Sequence, residues 1–211
     1  MRSVMSSRFG QIPDADIPRS AFDLSRGYKT TFDAGLLIPI FRDEVLPGDT
    51  WNVRMQGFAR MATPIHPIMD NIFMDTHFFF VPNRLIWDNW QKFNGEQENP
   101  DDSTDFLVPT LSSGTSTGFA EQSIHDYLGL PTKVPGLDVC AFWHRAYNLI
   151  YNEWFRDQNM VDSVIEHKGD GPDPRDDYRI LRRGKRHDYF TSCLPFAQKG
   201  ESVGLPLGDT A

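Results

Sequence analysis

The sequence predicts a mainly β fold in which short helices and long loops interrupt the strands. Trp51, Val53 and Met55 alternate with polar residues, a period typical of a strand buried on one face. The aromatic run from Phe73 to Val81 is typical of a strand covered on both faces. The connections between the predicted elements are long, and loops of that length in a compact domain usually carry function or disorder.

Residues 1–28 are predicted to form an extended N-terminal arm. Pro13 and Pro18 keep the residues before them out of helical conformation. The apolar residues of the arm, among them Phe9 and Ile12, follow no steady period. We therefore expect the arm to lie along a surface, and in an assembly that surface is often a neighbouring subunit.

Three strands are predicted after the arm, over residues 30–46, 51–56 and 73–81. A turn at residues 46–49 ends the first of them, because Pro and Gly stand side by side there. The alternation of the second strand slips at Gly57, which indicates a bulge or a bend in the chain.

Three helices are predicted between the strands and the loops. The first covers residues 84–93 with Asn83 as its cap, and the second covers residues 121–128. The third begins at the capping residue Asp138 and ends near Asp157. One face of the third helix is apolar, which predicts that it packs mainly in the core. Its members are Val139, Phe142, Trp143, Ala146, Leu149, Ile150 and Trp154.

Trp87, Trp90 and Phe93 line the first predicted helix directly after the aromatic strand. Large aromatic residues beyond the need of one small core are typical of interfaces. These three residues, together with Phe9 and Ile12 of the arm, are therefore the candidate subunit interface. Core packing remains the alternative for the residues of the helix.

Two sets of side chains could hold a metal ion, but neither has the spacing of a known ligand pattern. The sets are His66, Asp70, Asp75 and His77, and Asp170, Asp173, Asp176 and Asp177. We interpret the first as hydrogen-bonding groups of a proline-rich turn. We interpret the second as a solvated charged loop, with a cation bound at residues 170–177 as the alternative.

The sequence predicts neither an enzyme nor a cofactor. Cys140 and Cys193 match no zinc or redox spacing, which indicates reduced thiols in a cytoplasmic compartment. Cys193 with His187 lacks a third group that would orient a catalytic base. The first twenty residues have no apolar signal region, and the longest apolar run, residues 35–41, falls short of the roughly 20 residues of a membrane span. We expect no membrane insertion.

Five long strings of this sequence, in order, resemble the major capsid proteins of the gokushovirus branch of the Microviridae. They are FGQIPDADIPRSAFDLS, TTFDAGLLIPIFRDEVLPGDTW, ARMATPIHPIMDNIFMDTHFFFVPNRLIWDNWQKFNGE, RAYNLIYNEWFRDQN and RGKRHDYFTSCLPFAQKG. Members of that family are much longer. The resemblance implies that residues 29–211 are the N-terminal portion of a viral jelly-roll domain with insertions, an antiparallel β-barrel that is incomplete in this chain.

The resemblance also implies a function. Such proteins form a T=1 icosahedral shell of identical subunits that encloses a circular single-stranded DNA genome. The implied partners are other capsid subunits, the packaged DNA, a small basic DNA-associated virion protein and a receptor on the host cell surface. The implied location is the virion, assembled in the cytoplasm of a bacterial host.

A basic cluster near the C-terminal end of the sequence is the candidate DNA contact. Its members are Arg182, Arg183, Lys185 and Arg186, with Tyr189 and Phe190 close behind for stacking on bases. The formal charge of −8 over 211 residues argues against nucleic-acid binding by the chain as a whole, but it does not exclude a local basic patch. Ion pairs with the acidic loops 96–105 or 170–177 are the alternative.

A second function class remains open from the residues alone. A carbohydrate- or receptor-binding β-sandwich would also be rich in aromatic residues, which stack on sugar rings. Such a module would be monomeric and would expose its tryptophans in a groove, whereas a capsid subunit would bury them between symmetric copies. A hydrolase would need a nucleophile motif, and the sequence has none.

Overall fold

The computed structural model describes residues 18–158 and 160–184. The predicted interface residues Phe9 and Ile12 lie outside these ranges, and so do Lys185 and Arg186 of the basic cluster. The same holds for Cys193, His187, Tyr189 and Phe190.

The described elements are short and are joined by long irregular segments. The strands are β1 (Thr110–Ser112) and β2 (Asp138–Cys140). The helices are α1 (Trp90–Phe93), α2 (Ile124–Tyr127) and α3 (Phe142–Ile150), and α3 continues into a π-helical turn, Tyr151–Phe155. Single 3₁₀ turns cover Asn83–Leu85 and Arg175–Asp177. A small antiparallel sheet with few helices agrees with the coarse prediction of a mainly β chain.

Strands β1 and β2 pair antiparallel, with Leu111 opposite Val139. The amide of Asp173 donates to the carbonyl of Thr110 at 2.8 Å. This bond brings residues 170–177, the 170s loop, alongside β1. Leu111 is fully buried and lies at the centre of the hydrophobic core. The other buried core residues are Phe119, Ile124, Leu128, Ala141 and Tyr178. The sheet therefore positions the loop that carries the aspartates against the core.

The predicted strands over residues 30–46, 51–56 and 73–81 do not form ladders among the described residues. These segments run extended, and Leu36 makes an isolated bridge to Arg182. Phe73 and Phe80 are 71% and 73% exposed, so the described residues do not cover both faces of the aromatic run. The pattern predicted extended backbone, but a strand also needs a partner, and no described segment supplies one there.

Helix α3 begins at Phe142 rather than at Asp138, because residues 138–140 belong to β2. Its buried face is also not the predicted apolar one. The fully buried side chains of α3 are His144, Arg145 and Asn148, whereas the apolar residues of this helix are half-buried. Val139 and Trp143 of the predicted apolar face do pack against the hydrophobic core, but only as half-buried residues, and the deepest positions of α3 are polar.

The π-helical turn explains the position of Trp154, which was predicted to face the core and is 72% exposed. A π-turn closes its hydrogen bonds over five residues instead of four, so it rotates the residues that follow relative to an α-helix. The other two predicted helices are shorter than expected. Residues 84–93 split into a 3₁₀ turn and α1, with no side-chain cap from Asn83, and α2 covers only residues 124–127.

The segment before α2 crosses the segment before β2 so closely that only glycine fits at position 118. Gly118 has a φ of +71°, and a Cβ added to it would lie 2.4 Å from the backbone nitrogen of Val134. Gly136 has nearly the same φ, +70°, but a Cβ there would meet nothing within 4 Å. The two positions separate the effect of backbone conformation from the effect of crowding.

We expect Gly118→Ala to lower the free energy of unfolding far more than Gly136→Ala. Both changes place alanine in the left-handed region, which costs about 1–2 kcal/mol. Gly118→Ala adds a collision with backbone, and overpacking of this kind costs a further ~1–3 kcal/mol. Urea unfolding of both variants measures the difference. Equal losses would contradict the close crossing at Val134.

Candidate functional site

The most buried polar contact of the described residues is an ion pair between α3 and the 170s loop. Nε and Nη2 of Arg145 donate to Oδ2 and Oδ1 of Asp173 at 2.8 and 2.6 Å, and the two side chains are 1% and 2% exposed. Nη1 of Arg145 donates to the carbonyl of Ile86 at 2.9 Å, and the Tyr178 hydroxyl donates to Asp173 at 2.6 Å. The pair therefore joins three segments of the chain at one buried point.

The surroundings of this site keep Asp173 ionised and Tyr178 protonated. Burial opposes ionisation of Asp173, but hydrogen bonds from Arg145 and Tyr178 outweigh it and hold its pKa below the ordinary value. Burial, together with the hydrogen bond to Asp173, raises the pKa of the Tyr178 hydroxyl well above its usual range. At neutral pH the proton stays on Tyr178 and the negative charge stays on Asp173. The arrangement acts as a fixed structural tie.

We expect Asp173→Asn to lower the free energy of unfolding by about 3–5 kcal/mol, because it leaves the guanidinium of Arg145 buried without a counter-charge. The matched control is Glu121→Gln, which removes an exposed ion pair with Lys133 whose side chains are 61% and 69% exposed. That change should cost less than about 1 kcal/mol. Urea unfolding at pH 7.5 compares the two. Similar small losses would mean that the buried pair contributes nothing beyond a surface one.

A histidine pair lies beside the ion pair. Nδ1 of His125 and Nε2 of His144 are 2.8 Å apart, and Nδ1 of His144 has no hydrogen-bond partner among residues 18–158 and 160–184. The ring of His125 stacks on Phe119 with centroids 4.2 Å apart, and His144 lies 5.2 Å from the ring of Tyr178. Because only one proton fits between the facing nitrogens, one of them donates and the other accepts, and the two rings cannot both be imidazolium.

Burial lowers the pKa of both histidines. The pKa of His125 falls to about 4 through burial and the charge of Arg175. The pKa of His144 falls to about 3 through burial and the neighbouring His125, although Asp173 acts in the opposite direction. Protonation of either ring would place a positive charge in the core.

We expect the free energy of unfolding to fall as the pH drops from 7.5 to 5. The unfolded histidines, with a pKa near 6.5, bind protons in this window and the folded ones do not, so acid favours the unfolded chain. Each histidine contributes up to about 1.4 kcal/mol per pH unit below 6.5. Urea unfolding across this range measures how steeply the free energy of unfolding depends on pH. We expect a shallower dependence in the double variant that carries both His125→Phe and His144→Phe. The exposed His66→Gln is the matched control, and an unchanged slope in the double variant would contradict the assignment.

The tryptophan cluster consists of Trp87, Trp90, Phe93 and Phe142. Trp87 is fully buried within the subunit, and its Nε1 donates to Asp170 at 2.8 Å. Its ring lies 5.3 Å from Phe93 and 5.7 Å from Phe142. Trp90 is half-buried and Phe93 is 39% exposed. Of the three predicted interface residues in this cluster, Trp87 serves the interior and the other two reach the surface.

The aspartates of residues 170–177 have separate partners, and the interpretation of a solvated loop was wrong for Asp173. Asp170 accepts from Trp87 and Asn89, and Asp177 pairs with His167 at 2.7 Å. Within residues 18–158 and 160–184, no three His, Cys, Asp or Glu side chains gather closely enough to hold a metal ion. This statement covers both candidate metal sets.

The basic cluster, which begins at Arg182, starts beside the extended aromatic segment, residues 73–81. Nη1 of Arg183 forms an ion pair with Asp75 at 2.7 Å, and Nη1 of Arg182 donates to the carbonyl of Ala34 at 3.4 Å. The sequence offered ion pairs with residues 96–105 or 170–177 as the alternative to DNA contact. Arg183 has an acidic partner, but it comes from the aromatic segment instead.

A long apolar surface accompanies these contacts along residues 53–80. Its exposed members include Val53, Met55, Phe58, Met61, Ile65, Ile68, Met69, Ile72, Phe73, Met74, Phe78 and Phe80. Exposed apolar area on this scale indicates a surface that another part of an assembly covers. Within the part of the chain that the structure describes, no helix is long and apolar enough to cross a bilayer.

Sequence reasoning missed the Arg145–Asp173 pair and the histidine pair. A signal was present, because His144, Asn148 and Asn152 recur every four residues and mark a polar helix face. Asp173, in contrast, stands in an aperiodic loop, and nothing local to it indicates burial.

Comparison with known proteins identifies the family. The sequence matches the phage family described as capsid protein (F protein) over residues 10–211. The chain belongs to this capsid protein family. It is 53% identical over 203 residues to capsid protein VP1 of Bdellovibrio phage phiMH2K and 47% identical over 227 residues to capsid protein VP1 of Chlamydia phage 1. Capsid protein VP1 of Spiroplasma virus 4 is 34% identical over 215 residues. These matches confirm the resemblance found in the sequence.

The three alignments cover 96%, 97% and 96% of this chain but only 38%, 38% and 39% of the respective relatives. The chain thus spans less than half the length of these capsid proteins. These relatives therefore contain much more chain than the part that carries the apolar surface along residues 53–80.

Proposed function

We propose that this chain is the N-terminal part of a structural capsid subunit that assembles with copies of itself. The observation that carries the proposal is the capsid family match over residues 10–211. Two relatives named capsid protein, at 53% and 47% identity across nearly the whole chain, support it. The role is structural rather than catalytic, and the subunit resides in the virion after assembly in the cytoplasm of a bacterial host.

The proposed complete fold is a viral jelly-roll built on residues 29–211 and on the remainder of the family-length protein. The extended segments 51–56 and 73–81 have strand patterns but no ladder partner among the described residues. Strands from the remainder would pair with the backbone edges of these segments. Closure of this kind removes exposed edges, which would otherwise favour aggregation.

Association between subunits is driven by burial of apolar surface. Such burial contributes about 25 cal/mol per Å², less the cost of association. Trp90 and Phe93 are the candidate contacts that reach the surface in the described structure. Residues 1–28 act as an arm that lies on a neighbouring subunit, with Phe9 and Ile12 as anchors. The assembled product is a T=1 icosahedral shell.

The proposed cargo is a circular single-stranded DNA genome. Arg182, Arg183, Lys185 and Arg186 contact its phosphates from the inner surface, weakly and without sequence preference. A small basic virion protein associated with the DNA, and a host surface receptor outside, are the further proposed partners.

We expect the protein expressed from its complete reading frame to form closed, uniform particles in negative-stain micrographs. Particles in which all four basic residues are glutamine should assemble normally but protect less DNA from nuclease, because fewer phosphates are neutralised. A soluble monomer with accessible tryptophans, across a range of salt, would contradict the proposal and favour the binding module. Unchanged DNA content in the glutamine variant would contradict the DNA contact alone.

A further inference from the structure

An aromatic platform stands where the end of α3 meets the extended aromatic segment. It consists of His77, Phe79, Trp154 and Phe155. The ring of Phe79 lies 5.7 Å from Trp154 and 5.8 Å from Phe155, and His77 lies 5.3 Å from Phe155. Trp154 is largely exposed to solvent. The platform therefore brings aromatic rings from two distant segments of the chain together, and Trp154 is the most exposed of the three Phe and Trp rings.

The backbone at the end of α3 positions two of these rings. Trp154 and Phe155 belong to the π-helical turn Tyr151–Phe155. Asn152 fixes the inner side of the turn, since it donates to the carbonyl of Val164 at 2.9 Å and accepts from the Val164 amide at 3.0 Å. Single π-turns within α-helices occur frequently at functional sites.

Positive charge is held against the platform. The guanidinium of Arg183 lies 6.0 Å from the centroid of Phe155, within range of a cation–π contact. The amide of Arg183 donates to Gly35 at 3.1 Å, and the amide of Gly184 donates to Phe155 at 2.7 Å. A Cβ at position 184 would lie 2.9 Å from the carbonyl oxygen of Phe155, so glycine permits this approach. The basic cluster therefore starts from a fixed point beside the rings.

We propose that the aromatic platform is a stacking site for the bases of single-stranded DNA, with Arg183 on the adjoining phosphates. This inference rests on the proposed function, and it adds a base contact to a contact so far assigned to phosphates. Exposed rings next to a basic groove bind single strands without sequence preference, because every base has a π-face. The ion pair with Asp75 engages Nη1 of Arg183, and the guanidinium has further N–H donors for a phosphate.

Charge distinguishes this occupant from a covering protein surface. The apolar surface along residues 53–80, apart from His77 and Phe79 of the platform, is the kind that protein covers. The platform instead has Arg183 fixed at its edge, and the sequence continues into Lys185 and Arg186. The competing outcome of the test is that the remainder of the chain or a second copy of the subunit covers the platform.

The first experiment uses wild-type particles, so it does not depend on a variant that folds. DNA containing 5-iododeoxyuridine in place of thymidine is packaged and irradiated, and the cross-linked residues are mapped by mass spectrometry. We expect cross-links at Trp154 and Phe79. DNA-filled particles with cross-links only at other segments would overturn the stacking site and leave the capsid function intact. Particles without DNA would contradict the proposed function, and this site with it.

The second experiment compares family-length subunits that bind a thymidine decamer or an abasic decamer. Trp154→Leu should weaken binding of the thymidine strand by about tenfold, in line with the loss of one stacked base. It should leave binding of the abasic strand unchanged. Trp154→Phe should retain most of the affinity, and Phe58→Leu, at an exposed ring outside the platform, is the matched control. Equal affinity of the wild type for both strands would overturn the proposal.

Discussion

The Arg145–Asp173 ion pair lies where three segments of the chain meet, and their relative positions depend on it. A buried pair of this kind is stabilising only when its remaining hydrogen-bonding groups are also satisfied. Ile86 and Tyr178 complete that requirement by accepting from Arg145 and donating to Asp173. The same tie places the tryptophan cluster at the start of α3 and the 170s loop against β1. The small apolar core alone would not fix these directions, because hydrophobic contact is not directional.

The surroundings of the Arg145–Asp173 pair and the segment 53–80 differ in how well their side chains are matched by other parts of the structure. Around the ion pair, most buried polar groups have a partner: Arg145 and Asp173 bind each other, His125 faces His144, and Asp170 and Asp177 each have a separate partner. Along residues 53–80 the situation is the reverse, with large apolar side chains in solvent and extended backbone without a ladder. This contrast agrees with a chain that spans less than half of its capsid relatives. The unmatched surface is where further protein would add most stability.

Much of the site could not be predicted from the sequence, for reasons that particular residues make clear. Apolar periodicity predicts a helix that ends near Asp157, two residues beyond the observed end at Phe155, but α3 and its π-helical turn also have a polar period at His144, Asn148 and Asn152. Periodicity does not decide which of two faces points inward. The segments 51–56 and 73–81 carry strand patterns, yet a ladder is a property of two segments. The family, in contrast, follows from long strings in order, because these depend on no single structural prediction.

The ion pair also constrains the order in which the chain can fold during synthesis. Asp173 follows Arg145 by 28 residues, and the carbonyl of Ile86 precedes Arg145 by 59. Closing loops of this length costs chain entropy before any contact repays it. Until the 170s loop leaves the ribosome, α3 carries a guanidinium whose counter-charge does not yet exist. The ordered interior therefore forms only after residue 173 has left the ribosome, and early contact with chaperones would protect the exposed aromatic segment 73–81 until then.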